Sequence, residues 1–273
     1  MSAQIRFFNK NKIDLSNSLA SITITDAVAT NDGQSFADFM RNRNQVSAWQ
    51  TTGSTDAALT EILSDMSDER EIDSIIIAGH NFKAFTIQYW NGSSFVDFAT
   101  PISETINTDT TNFFQFTKVS TKQVKIIVQN TQVVDDDKKI TQLIITDNLG
   151  AGQLEGWPII RNPRHSTNKK VSRMLSGKAN VVESVGAFSM ELEVRNWNID
   201  ADMDIIEDVY FGKRGVLVWL SGGDEAQFSH LRIGYRKQDI FLMRATNDYT
   251  PTWAAGVYTT GLQIKLTLEE AID

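Results

Sequence analysis

The side chains that could do acid–base or metal chemistry are few in this chain and poorly grouped. Its three histidines, His80, His165 and His230, lie far apart and lack the short partner spacing of a zinc or iron site. "VVDDDKK" puts Asp135, Asp136 and Asp137 in a row, whereas a calcium loop spaces its oxygens at alternate positions around a glycine, so a polar hairpin tip is expected. Gly-x-Ser-x-Gly, His-Glu-x-x-His and the phosphate-cradling Gly-x-x-x-x-Gly-Lys-Ser/Thr do not occur. "GAGQLEG" has glycines at 150, 152 and 156, which is not the dinucleotide spacing. Cysteine is absent, which removes thiolate nucleophiles, disulfides and cysteine-ligated metals. Carboxylates are plentiful, so a glycosidase pair is compatible with the sequence, but nothing singles one out. The expectation is a non-enzymatic protein with no cofactor and no metal.

The elements that would position any site are mostly strands. Short β-branched and aromatic runs recur between Gly, Asn, Asp and Ser clusters. They predict strands over 21–25, 74–78, 84–90, 113–117, 123–129 and 140–146, then 179–183, 188–196, 216–220, 231–235, 240–245 and 262–268. Short helices are possible at 36–41 and 57–63. "DADMDIIEDVYFG" predicts a better one, with acids at its N-terminal end and Met203, Ile206 and Tyr210 on one face. "SIIIA" (74–78) is apolar on successive residues, as in a strand covered on both sides. His80, in the Gly-His-Asn corner after it, is expected to be a hydrogen-bonding frame residue rather than a catalyst. In "AFTIQYW", Phe85, Ile87 and Tyr89 oppose Thr86, Gln88 and Trp90, and Asn91-Gly92 turns the chain into Phe95, Val96 and Phe98. "FSMELEVRNW" alternates strictly, with Phe188, Met190, Leu192 and Val194 on one side.

Composition bounds the rest. The formal charge is −8, the pI about 5.0, and 41% of residues are hydrophobic. Such a chain buries real cores and repels nucleic acid, so no specific nucleic-acid binding is expected. No apolar window reaches the length of a membrane span, and "MSAQIRFFNKNKID" lacks a signal-peptide core, so no membrane insertion and synthesis in the cytoplasm are expected. Glycines and prolines in "DNLGAGQLEGWPIIRNP" suggest a boundary. The expected plan is a sandwich over 1–150, a linker over 151–160 and a second domain over 161–273. Residues 161–178 hold Arg161, Arg164, Lys169, Lys170, Arg173 and Lys178 and no acid. This stretch is either a subunit contact to acidic neighbours or a solvated linker.

"IDSIIIAGHNF", "FTIQYWNGSSFVDFA", "FFQFTKVSTKQVKIIVQNT" and "KKITQLIITD" together resemble discoidin domains, the coagulation-factor C-type module, over about residues 14–147. "RNRNQVSAWQTT" resembles that family's earlier loop, although no Asp precedes Ser47 and Trp49 where the pattern has one. The resemblance implies a jelly-roll β-sandwich that binds glycans, lipids or proteins through loops at one end. If that loop takes a glycan, Trp49 is the stacking platform and Arg41, Arg43, Asn44 and Gln50 supply hydrogen bonds. Alternatively Trp49 plugs the sandwich. Trp90 is a further candidate surface aromatic.

In the second half the order strand, helix, "GKRGVLVWLSGG", "IGYRKQDIFLM", terminal strand resembles the tail-tube-like ring domains of distal tail and baseplate hub proteins of tailed bacteriophages. The fold class expected is therefore mainly β, a jelly-roll sandwich followed by an antiparallel split barrel or sandwich with one helix. The implied function is structural: a virion tail component, assembled in the host cytoplasm, forming a hexameric ring around the DNA channel. Its partners would be other tail or baseplate proteins, its projecting sandwich would meet a cell-surface glycan, and its subunit contacts would use Arg161, Arg164, Lys169, Lys170 and Arg173. The alternative is a stand-alone glycan-binding, lectin-like protein.

Overall fold

The computed structural model describes residues 4–42, 47–53, 56, 58–153, 159–173, 179–197, 200–211, 216–221, 240–256 and 259–270. The chain is mainly β, with antiparallel pairing in every sheet, as expected from its period-two patterns.

Two compact units form, and their boundaries differ from the sequence expectation. One unit joins Met1–Lys10 to Asn148–Asp273, and the other is Asn11–Asp147. The sandwich is thus inserted into the second domain rather than placed before it. The reason is β1 (Gln4–Phe8), which pairs with a strand more than 200 residues later and so cannot be assigned from local pattern.

In the inserted unit the strands are β2 (Ser21–Asp26), β3 (Trp49–Gln50), β4 (Thr60–Ala78), β5 (Phe82–Trp90), β6 (Phe95–Glu104), β7 (Thr111–Thr131), β8 (Lys139–Ile140) and β9 (Gln142–Thr146). Thr60–Leu63 is strand, not the helix its Leu-Thr-Glu-Ile-Leu run allows. Thr60, Ile62 and Ser64 alternate inward, and tertiary burial overrides a weak helix propensity. Phe36–Arg41 falls in a 3-10 helix, Gln34–Arg41.

β4 and β7 each serve both layers. Residues 60–65 of β4 pair with 123–128 of β7, and residues 74–78 pair with 111–115. Between these halves β4 bulges at 66–69, where Ser67 takes φ 72 and its N–H is held by Asp65 Oδ1 at 2.8 Å. One layer is β2-β4-β7-β5-β6; the other sets β9 against the second half of β4. Ile22, Ile24, Ile62, Phe85, Ile87, Val124, Ile126 and Val128 pack against Ile72, Ile75, Ile77, Leu143 and Ile145. Ile75, Ile76 and Ile77 are all fully buried, as expected of a doubly covered strand. Pro101 sits in β6 at the end of its layer, where a missing donor costs least. The chain enters and leaves side by side: Asn11 Nδ2 donates to Leu143 O at 2.9 Å, and Lys12 N–H donates to Ile145 O at 2.8 Å.

The other unit adds β10 (Asn148–Gln153), β11 (Ile159–Arg173), β12 (Ala179–Trp197), α1 (Asp200–Phe211), β13 (Val216–Ser221), β14 (Ile240–Ala245), β15 (Thr252–Gly256) and β16 (Thr259–Glu270). Their sheet order is β10-β1-β13-β14-β16-β12-β11, with β15 on β16. Phe188, Met190, Leu192 and Val194 are buried at alternate positions of β12. α1 lays Ile205, Ile206 and Val209 into the same core, with Met203 and Tyr210 flanking. Of the expected linker, 151–153 lie in β10 and 159–160 in β11, and 154–158 lie outside the described residues. Residues 231–235 lie outside the described residues. No described helix is long and apolar enough to cross a membrane.

Candidate functional site

Trp49 is not a stacking platform. It is fully buried in the sandwich core, with its indole Nε1–H donating to Asp32 O at 3.1 Å. This is the plug role. Gly33 makes room for it: at φ 65, a Cβ there would stand 2.9 Å from the indole nitrogen and 2.3 Å from Gln50 O. Arg41 is likewise committed inside. Its Nε contacts Asp38 Oδ1 at 2.8 Å and its Nη1 donates to Ile13 O at 3.3 Å, tying the 11–20 loop to the 3-10 helix. Neither group is free to meet a sugar. Gln50 is exposed on β3, opposite Lys139 of β8. Arg43 and Asn44 lie outside the described residues.

Residues 161–173 of the basic stretch are strand rather than linker, and 174–178, with Lys178, lie outside the described residues. Arg161, Arg164, Lys169, Lys170 and Arg173 lie on β11, in register with Glu191, Ser189, Glu183, Val182 and Ala179 of β12.

His80 is a frame residue. Its Nδ1 accepts the Phe82 N–H at 3.1 Å, which leaves the proton on Nε2, 2.7 Å from Asn112 Oδ1. Asn112 Nδ2 in turn donates to Asn107 Oδ1 at 3.1 Å. Burial pushes the imidazole pKa down to about 4 against the pull of Asn112 and Asp109, so the ring is neutral. Asp136 and Asp137 serve the same loop end: Asn81 Nδ2 donates to Asp136 Oδ2 at 3.0 Å, and Thr51 Oγ1 donates to Asp137 Oδ1 at 3.2 Å. Lys138 is fully buried beneath them. Desolvation lowers its pKa, and the carboxylates of Asp26, Asp56 and Asp137 oppose that shift. Among the described residues no His, Asp and Glu group could hold a metal ion.

The arrangement best suited to a ligand is on the outer face of the five-stranded layer. Strand alternation sends Ile87 and Val124 inward and Gln88, Trp90 and Lys125 outward. The registers Thr23↔Leu63, Leu63↔Lys125, Lys125↔Gln88 and Gln88↔Asp97 make one row across all five strands. Gln88 Nε2 donates to Asp97 Oδ1 at 3.0 Å within this row. Trp90 pairs with Phe95 at the hairpin end, ring centroids 5.2 Å apart and 63° between planes. Lys125 Nζ stands 4.6 Å from the Phe95 centroid. Beside it Gln123 Nε2 donates to Asp65 Oδ2 at 2.7 Å. The Asn91–Ser94 turn fixes the aromatic pair, because Asn91 Oδ1 accepts both the Ser93 and Ser94 N–H at 3.0 Å and Gly92 takes φ 98.

Half-buried rings therefore border amide, carboxylate and ammonium groups on one sheet face. The rings can cover the C–H side of a pyranose, and the polar groups can exchange hydrogen bonds with its hydroxyls. The alternation of β5 flags Trp90 in the sequence. Phe95 and Asp97 join it across the β5–β6 hairpin that the Asn91-Gly92 turn signals, whereas Lys125 joins only through the insertion of β7 between β4 and β5, which local pattern does not reveal.

No family model matches this chain, and none of the curated proteins compared with it does. Among solved structures, a Ruminococcus gnavus GH29 fucosidase in complex with fucose is similar at 19% identity and TM-score 0.40, over 51% of this chain and 27% of the fucosidase. This chain thus spans about a quarter of that enzyme's length. A chitosan-binding module 1 from a chitosanase/glucanase of Paenibacillus sp. is similar at 12% identity and TM-score 0.40, over 50% of this chain and 98% of the module. The Clostridium perfringens module CpGH89CBM32-5, in complex with GalNAc-β-1,3-galactose, is similar at 15% identity and TM-score 0.37, over 47% of this chain and 96% of the module.

Proposed function

We propose that residues 11–147 are a lectin-like, non-catalytic carbohydrate-recognition unit that binds on the open face of its five-stranded layer. The observation that carries this reading is the Trp90–Phe95 pair set beside the Gln88–Asp97 hydrogen bond and Lys125. Trp90 and Phe95 supply the apolar contact. Gln88, Asp97 and Lys125 set orientation, because each offers a donor or acceptor at a fixed cross-strand spacing. The test is a glycan array followed by titration calorimetry on wild type and Trp90→Ala. Binding should be lost in the variant and kept in Gln50→Ala, which changes an exposed residue of another sheet. Binding that survives Trp90→Ala, or an array without signal, sinks the reading.

A second reading, a structural subunit of a phage tail tip or baseplate, is favoured by β11. Among the described residues this 15-residue strand pairs with β12 alone and ends its sheet. An unpaired edge of that length is a surface a neighbouring subunit completes. In this reading the glycan face projects from a ring in the virion. Mass photometry showing six-subunit particles supports it, and a strict monomer excludes the ring.

A further inference from the structure

The outer face of the five-stranded layer carries a second set of polar groups in line with the aromatic pair. Ser21 stands opposite Asp65, and Asp65 opposite Gln123. The pairing of β5 with β7 runs to Tyr89↔Val124, which sets Trp90 beside Gln123, and Trp90 stands opposite Phe95. Thr121 holds this junction, since its Oγ1 donates to Trp90 O at 2.8 Å and accepts the Gln123 N–H at 3.2 Å. One row therefore crosses the layer in the order Phe95, Trp90, Gln123, Asp65, Ser21. Its first four members are half-buried and Ser21 is exposed.

The row has rings at one end and hydrogen-bonding groups in the middle. Gln123 Nε2 donates to Asp65 Oδ2 at 2.7 Å, and Asp65 Oδ1 accepts the Ser67 N–H at 2.8 Å, so the pair is fixed in place. Among the described residues none bonds Gln123 Oε1, which stays available as an acceptor. The adjoining row repeats the arrangement, with Gln88 bonded to Asp97. Two amide–carboxylate pairs thus flank Trp90, one along its own row and one in the next.

Dimensions set the length of the ligand. Neighbouring strands lie about 4.8 Å apart, so Phe95 to Asp65 spans about 14 Å, close to three pyranose rings in a chain. A sheet face covers each sugar from one side only, whereas a pocket encloses most of a small ligand. Affinity on such a face has to be built by adding contacts along a chain. The row is also open at its ends: among the described residues β6 and β2 end the layer, and Ser21 is too small to form a wall.

We propose that the ligand is an internal stretch of a linear glycan, about three to four sugars long, lying across the strands along this row rather than a single sugar at a branch tip. This rests on the sheet-face reading of residues 11–147. One pyranose covers the Trp90–Phe95 rings, and the sugars after it exchange hydrogen bonds with Gln123 and Asp65.

Calorimetry on the full chain tests this, with cello-, xylo-, manno- and chito-oligosaccharides of one to six residues and with the oligomers of any other glycan that the array detects. In a series that binds, affinity should rise about tenfold or more from disaccharide to tetrasaccharide and level off beyond it. Gln123→Ala should cut tetrasaccharide affinity about tenfold and disaccharide affinity far less, with circular dichroism unchanged. Gln88→Ala, in the row beside the rings, should weaken every length alike. A monosaccharide that binds as tightly as its hexamer overturns the proposal and leaves the sheet-face reading standing. Binding confined to branched glycans, or a Gln123→Ala loss equal at all lengths, does the same. If neither the oligosaccharides nor the array gives a signal, the reading and the proposal fall together.

Discussion

Gln34 hydrogen-bonds Ile24 as a neighbouring strand would. Its Oε1 accepts the Ile24 N–H at 2.6 Å while its Nε2 donates to Ile22 O at 3.0 Å. Among the described residues β2 ends its layer, so these two backbone groups lie on its outer edge. One side-chain amide closes the pair that an incoming strand would seek first. Gln34→Ala should lower stability by about 1–2 kcal/mol in urea unfolding and raise light scattering on incubation. An unchanged midpoint and no added scattering would show that the amide guards nothing.

Trp90 and Lys125 should matter to binding far more than to folding. A cation–π contact near the surface is worth about 0.5–1 kcal/mol, so Lys125→Ala should shift the unfolding midpoint little. If the sheet face binds glycan, the same variant should weaken affinity several-fold, and Trp90→Ala should abolish the calorimetric signal. Equal losses of stability and affinity would point to a packing role instead.

Gly33 should be irreplaceable. Its φ is 65, and a Cβ placed there would come within 2.3 Å of the Gln50 carbonyl oxygen, so an alanine has nowhere to go without moving backbone. Gly33→Ala should cost more than about 2 kcal/mol and change the fluorescence of buried Trp49. Gly53→Ala is the control: it shares a positive φ of 64 but has open space around it, so it should lose less.

His80 should give the fold an acid-sensitive component. The folded pKa of about 4 lies below the ordinary value of 6.5, so the unfolded chain binds more protons between those pH values. Stability contributed by the neutral ring is complete above pH 6.5 and is lost as pH falls through 4. The shift corresponds to about 3 kcal/mol at most. His80→Asn should flatten the pH dependence of the unfolding free energy over that window. A wild-type curve with no slope there would contradict the burial argument.

Much of the fold can be read from periodicity, and the reasons for the failures are physical. The alternations of β5 and β12 and the face of α1 each come from neighbours in sequence, where side-chain period and burial agree. β1 escapes such a reading because its pairing with β13 spans the whole inserted unit. β11 reads as a loop or contact segment because basic residues conceal its strand, and the first half of β4 reads as helix because Ala, Leu and Glu favour one. The site divides in the same way. Trp90 and its hairpin partner Phe95 stand out around the Asn91-Gly92 turn, but Lys125 arrives through the pairing of a distant strand. Trp49 fits either a stacking platform or a plug by sequence, and its full burial with the indole bonded to Asp32 O makes it the plug.

The inserted unit begins and ends on adjacent backbone, with Asn11 and Lys12 bonded to Leu143 and Ile145. A chain with such neighbouring joints treats residues 11–147 as a detachable cassette. A short flexible bridge from residue 10 to residue 148 should leave the β1–β10 and β1–β13 ladders able to form. By the same geometry, a foreign sandwich with paired termini could be spliced into that position, and recognition could be exchanged without redesigning the sheet that carries it.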